Sequence, residues 1–326
     1  MPTIPDAEIQ AASYRYLRIG LVALLLALGA AVGYQSGKQG FALASVSAYY
    51  YTPAQAIFVS ALIGLGVCMI ALQGLTYPED VFLNLGGMFA MVVAVVPTSR
   101  GADFETALRA CRTVGGTLNQ GPAGKPDCPS LLALQNATVA NVQNNMAALL
   151  FVGGLALLLV AILLWRKILL WRNTDAKPAR SVRWWIFGGF AAALLIWLGA
   201  LVALLVSADW LAGNAHYIAA AGLFASIVAV VVANAFHRKE KPAAVALKSP
   251  RDYRYTWIAV AMVLVTGALL VLWRTGALSL FWVEIVVALM FAIFWATQTI
   301  SLEREASRAA LSPPSSPPQE AAAIHR

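Results

Sequence analysis

His216 and Glu284 are the residues of this chain whose types and placement best suit acid–base chemistry or cation binding. His216 heads an apolar run, after Asp209 and Asn214, and Glu284 lies about one turn inside the last apolar run. A carboxylate at that depth needs a partner, which Arg274 or His216 could supply. A plain interfacial anchor is the competing reading for the histidine. A second polar stretch, Ser45-Val-Ser-Ala-Tyr-Tyr-Tyr-Thr-Pro53, leads into another apolar run. Its Ser47, Tyr49 and Tyr50 are read either as the lining of a pocket or as an aromatic belt at a membrane interface. Thr52 is the expected N-cap of the helix that follows, with Pro53 in its first turn. A third stretch, Pro78 to Gly87, carries Glu79, Asp80 and Asn84. Glu79 suits the first turn of a helix, where its charge meets the helix dipole. Asp80, Asn84 and Gly87 share a face, which predicts a helix–helix contact with a hydrogen bond beside the Gly86–Gly87 pair.

These residues are positioned by long apolar segments. The chain has 326 residues, 60% hydrophobic and 12% charged. Soluble domains average about 25% charged residues. A bilayer core about 30 Å thick needs roughly 20 apolar residues in a helix. Eight segments qualify, at about 16–33, 53–75, 81–97, 146–165, 184–206, 217–236, 255–273 and 280–300. The runs are continuously apolar rather than alternating, which argues against a β-barrel. The expected fold is an all-α polytopic transmembrane bundle. Residues 1–15 form a cytoplasmic N-terminal tail, 16–300 the membrane domain, and 301–326 a Pro/Ser-rich cytoplasmic tail containing Ser312 to Pro318. The first segment follows Arg15 and Arg18 as a signal sequence would. It runs past a typical signal core without a clean cleavage site, so a retained helix is the preferred reading.

Basic residues orient the bundle. Arg166, Lys167, Arg172, Lys177, Arg180 and Arg183 lie in one connection, and Arg238, Lys239, Lys241, Lys248, Arg251 and Arg254 in another. Both belong on the cytoplasmic face if both termini do. The net charge of +8 is then mostly cytoplasmic and implies contact with anionic lipid headgroups. No basic run has the context of a nucleic-acid module. The 98–145 loop is expected outside. Its Cys111 and Cys128 flank a Gly/Pro-rich stretch and are read as a disulfide, with two free thiols as the alternative. Cys68 reads as a small buried hydrophobe. Asn136-Ala-Thr138 fits a glycosylation pattern that matters only in a eukaryotic source.

P-loop, HExxH, GxSxG and CxxCH motifs are missing, and the three histidines are His216, His237 and His325. No cofactor and no metal site are expected.

The Ser45 to Pro53 run, with Glu79-Asp80-x-x-x-Asn84-x-Gly86, resembles a family of uncharacterised bacterial multispanning membrane proteins. In that family a Ser-x-Tyr-Tyr-Tyr-Thr-Pro segment precedes the second helix and Glu-Asp with a following Asn opens the third. One histidine heads a later helix and one glutamate opens the last, as His216 and Glu284 do here. The resemblance covers about the first hundred residues well and the rest loosely. The Cys111–Cys128 loop and the Pro/Ser tail depart from it. It implies a multi-pass protein of the bacterial plasma membrane and groups Ser47, Tyr49, Tyr50, Asp80, Asn84, His216 and Glu284 as one set. It implies no activity.

Three functions remain open. The first is a non-enzymatic protein that binds a lipid or small amphiphile in an outward-facing polar pocket between spans 2, 6 and 8, or acts as an envelope scaffold. A protein partner would then use the 98–145 loop or the C-terminal tail. The second is a lipid hydrolase using His216 with Glu284 or Asp209. It requires His216 within hydrogen-bond reach of a carboxylate or of Ser47. The third is a proton- or cation-coupled carrier, which requires a polar path from Glu284 to Asp80. The first reading is preferred.

Overall fold

The computed structural model describes residues 6–74, 76–113, 127–172, 178–236 and 252–311, without the side chains of 6–11, 236, 252–255, 302–303 and 305–311. The stretch between Gly115 and Pro126, Lys177, the basic connection 237–251 with His237, and the 312–326 tail with His325 lie outside the described residues.

Nine α-helices and one short 3-10 helix make up the described chain. They are α1 (Asp6–Gln39), the 3-10 helix Val46–Tyr51, α2 (Gln55–Ala71), α3 (Tyr77–Val95), α4 (Ala102–Thr113), α5 (Cys128–Arg172), α6 (Arg180–Val206), α7 (Ala208–Phe236), α8 (Asp252–Arg274) and α9 (Leu280–Leu311). Seven of them are long and apolar enough to cross a membrane, and α2 follows the same pattern at 17 residues. At 1.5 Å per residue α2 is about 26 Å long, close to the bilayer core. Exposed Phe151, Leu155, Leu158 and Leu159 on α5, with Leu195 and Val202 on α6, form an apolar surface that water would not tolerate. The chain is an integral membrane protein with an all-α polytopic fold.

Local chemistry explains the helix ends. The Thr76 side chain accepts from Glu79 N–H at 3.3 Å and caps α3, with Pro78, Glu79 and Asp80 in the first turn. The α3 helix stops at Val96, before Pro97. Gly276, at φ +76°, takes the left-handed conformation that ends α8. Thr52 does not cap α2 as expected. Its hydroxyl donates to Tyr49 O at 2.8 Å and so closes the 3-10 helix, and α2 starts at Gln55 without a side-chain cap.

The α3 helix sits at the centre, packed against α2 and α7. Helices α1 and α9 complete the inner group, α8 lies against α7 and α9, and α5 and α6 pair on the other flank. The main core joins Leu21, Phe58, Leu65, Leu83, Val93, Ile227, Phe291 and Trp295. Trp197 Nε1 donates to Leu150 O at 2.8 Å and ties α6 to α5.

The expected 98–145 loop is largely helical. It contains α4 and the first two-fifths of α5, a helix of 45 residues. At 1.5 Å per residue, α5 is about 68 Å long and outruns the bilayer at its ends. Cys111 and Cys128 form a disulfide, and Leu108 and Leu131 pack beside it to seat α4 on α5. The Asp127 carboxylate accepts from Ser130 N–H at 2.9 Å at the head of α5, and these bonds hold its pKa below the usual value. Reducing the disulfide is expected to release α4. The closed loop spans 17 residues, worth about 3 kcal/mol on the loop-entropy model. Limited trypsin digestion should then cut at Arg109 and Arg112 faster with reductant. Equal rates would mean that the Leu108–Leu131 contact alone holds α4.

Candidate functional site

The end of the bundle that carries the disulfide is organised by the Ala44–Tyr51 segment docking on the start of α9. Phe281 N–H donates to Ala44 O at 2.9 Å, and Val46 N–H donates to Glu284 Oε2 at 2.6 Å. Glu284 is 7% exposed. Tyr49, fully buried, is committed to structure. Ser36 Oγ donates to Val32 O at 2.8 Å, so the Tyr49 hydroxyl donates to Ser36 Oγ, and it accepts from Leu43 N–H at 3.2 Å. Its ring meets Phe281 at 6.1 Å. Tyr50 packs edge-on against Phe58 and Tyr51.

Behind this plug lies a cavity of about 310 Å³ between α1, α2, α3, α7 and α9. Its walls are Leu, Phe, Met, Ile, Val, Ala and Gly, among them Leu62, Leu65, Met69, Leu223 and Phe224. Among the described residues, Ser47 and Glu284 are its only polar linings, and both come from the disulfide end. Leu26 of α1 and Leu289 of α9 line it too and are more than half exposed, so the cavity meets the lipid side between these helices. Small-molecule pockets run from about 300 to 1,000 Å³, mostly apolar with a few placed polar groups.

The sequence-derived set divides. Ser47 and Glu284 meet at the cavity; Tyr49 and Tyr50 support it from behind. His216 lies elsewhere. Its Nδ1 is 2.6 Å from Val96 O, so the N–H on Nδ1 donates to the carbonyl that ends α3. Its ring lies edge-on to Tyr217 at 5.8 Å. Among the described residues no carboxylate and no Ser47 hydroxyl is hydrogen-bonded to His216. Asp209 lines a separate polar pocket beside α4.

At the opposite end, Gly87 packs against Gly66 of α2, and Gly86 against Met69 and Ser226. Asn84 has no hydrogen bond to a described residue. It faces, with Tyr77 and Asp80, a cleft of about 600 Å³ between α2, α3, α5 and α6. The close α2–α3 contact on this face is the Gly66–Gly87 crossing, one turn along α3 from Asn84. The Asp80 carboxylate accepts from Gly74 N–H, which fastens the α2–α3 turn.

Sequence reasoning missed the depth of charge at this end. Glu79, assigned to dipole capping, is fully buried, and its Oε2 accepts from Asn234 Nδ2 of α7 at 3.2 Å. Arg18, read as a flanking charge, is 6% exposed with its guanidinium 5.4 Å over the Trp295 ring, near buried Gln298 on the same helix. Tyr14 meets the backbone of Gln73 and feels both Arg18 and Asp80. No periodicity marks such cross-helix partners.

Compared with known families, curated proteins and solved structures, the chain matches no family model, no curated protein and no solved structure.

Proposed function

We propose that this membrane protein binds a lipid or small amphiphile in the cavity, its apolar chain between α1, α2, α7 and α9 and its polar end at Glu284 and Ser47. The observation that carries this reading is the distribution of polarity: an otherwise apolar space with one carboxylate and one hydroxyl, both at one end. An amphiphile has the same asymmetry. Leu26 and Leu289 at the rim provide entry from the bilayer without passage through water.

Arg166, Lys167, Arg172, Arg180 and Arg183 all lie at or between the ends of α5 and α6 away from the disulfide. The positive-inside bias makes that end cytoplasmic and sets it against anionic headgroups. Both termini are then inside, and Glu284 and the disulfide face outward. With the resemblance of the Ser45–Pro53 run, this favours a bacterial plasma-membrane protein that takes its ligand from the outer leaflet.

The hydrolase reading needs a partner for His216 that the described geometry does not supply. The carrier reading needs polar groups between Glu284 and Asp80, where the cavity wall offers Leu65, Met69, Ala90 and Ile227.

A photoactivatable single-chain amphiphile tests the proposal. Cross-links are expected on α1 and α9 peptides around Leu26 and Leu289. Glu284→Leu should cut labelling about tenfold, a loss of about 1.4 kcal/mol, and Glu284→Gln less, since a neutral amide still accepts from Val46 N–H. Labels spread over the lipid-facing α5 and α6, unchanged by either variant, would refute it.

A further inference from the structure

A second pocket, of about 400 Å³, lies at the disulfide end between residues 97–100, α4, the first turns of α5 and the start of α7. Its character is the reverse of the apolar cavity. Arg100, Arg109 and Arg112 all line it, against the two carboxylates Glu105 and Asp209. None of these five side chains forms an ion pair with a described residue, so no described carboxylate consumes the guanidinium donors.

The pocket is built rather than incidental. Arg109 and Arg112 are three residues apart on α4 and so share a helix face. The disulfide and the Leu108–Leu131 contact fix that face against α5. Arg100 is stacked on the Tyr51 ring with its Cζ 4.2 Å from the centroid, and Phe104 lies 5.8 Å away. The Tyr51 hydroxyl donates to Thr98 O at 2.6 Å, which fixes the ring under the guanidinium. Burial pushes that hydroxyl's pKa up to about 12, so it stays a protonated donor. Tyr217 donates to Ser99 Oγ at 2.9 Å and holds the 97–100 segment against α7. Tyr51, which ends the 3-10 helix, and Tyr217, in the first third of α7, are amphipathic aromatics of the kind found at headgroup level.

Arginine presents a planar fork of N–H donors that matches phosphate oxygens in a bidentate manner. We infer that the pocket formed by Arg100, Arg109 and Arg112 binds a phosphate group at the outer membrane boundary. The phosphate comes from a phospholipid headgroup or from a soluble phosphate monoester. Glu105 and Asp209 offset part of the positive charge, so binding depends on guanidinium geometry as well as on field.

The test uses the full chain purified in nonionic detergent at low salt. One arm titrates inorganic phosphate and glycerol phosphate by calorimetry. The other counts phosphatidylglycerol retained from nanodiscs by native mass spectrometry. Arg109→Gln with Arg112→Gln should lower affinity at least tenfold. Arg109→Lys with Arg112→Lys, which keeps the charge, should fall between, and Glu105→Gln should tighten binding. Saturable binding in the first arm identifies a soluble ester; retention in the second alone identifies a lipid headgroup. The lysine pair guards against misfolding of the glutamine pair. Failure of both arms in the wild type would overturn the inference. So would glutamine variants that bind as the wild type does, or an equal loss on Arg166→Gln with Arg183→Gln at the far end.

Discussion

The Ala220→Phe, Ala288→Phe double variant should fold normally and lose its amphiphile. Both alanines line the cavity, one from α7 and one from α9. Two phenyl rings would take up much of a space of about 310 Å³. They would bury apolar surface where the ligand chain otherwise lies, so the fold gains packing while the site closes. The expected result is at least a tenfold fall in bound amphiphile, measured by lipid extraction and mass spectrometry, with melting temperature unchanged or raised. A filled variant that still carries the wild-type complement would show that the ligand, if any, sits outside the cavity.

The second large effect is on stability. Gly87→Ala should destabilise the bundle by about 1–3 kcal/mol, the range for overpacking a tight interior. A Cβ on Gly87 would lie 2.6 Å from Gly66 O, and one on Gly66 would lie 2.7 Å from Gly87 O. Backbone atoms on both sides leave no flexible group to yield, so α2 and α3 must separate. Glycine at such crossings lets helices approach closely in the membrane. Gly199→Ala on α6 is the control. Nothing lies within 4 Å of its added methyl, and alanine favours a helix over glycine by up to about 1 kcal/mol. The two variants should shift the unfolding midpoint in opposite directions. A Gly87→Ala protein as stable as the wild type would mean that the helices do not cross there.

Much of the architecture is legible in the sequence, because a membrane helix announces itself by composition. The α3 helix was expected over 81–97 and lies at Tyr77–Val95, with Thr76 as the cap that sets the difference. The α5 helix was expected from 146 and starts at Cys128. The stretch before 146, with Asn136, Asn141, Asn144 and Asn145, has no continuous apolar run and so reads as part of a loop. An amphipathic helix tolerates them, since Leu131 and Val142 bury one side while the asparagines stay largely in solvent.

The site was legible only where topology sufficed. Ser47 and Glu284 stand at the same end of their helices, and the bundle brings them to one cavity. His216 stands at that end too, but its ring turns to the Val96 carbonyl. Which way a side chain faces depends on the neighbour its helix meets, and one chain's hydropathy does not encode that pairing. Arg18 carries the same lesson at the other end. A basic residue ahead of an apolar run reads as a cytoplasmic flank, and only α9's Trp295 shows that it is inside.

An electron cryo-microscopy map of the full chain in lipid nanodiscs tests the central claim most directly. The account predicts elongated density in the space between α1, α2, α7 and α9. Its polar end should lie within hydrogen-bond distance, about 3 Å, of Glu284 and Ser47. A cavity closed by side chains, or ordered amphiphile bound only on the outer faces of α5 and α6, would contradict it.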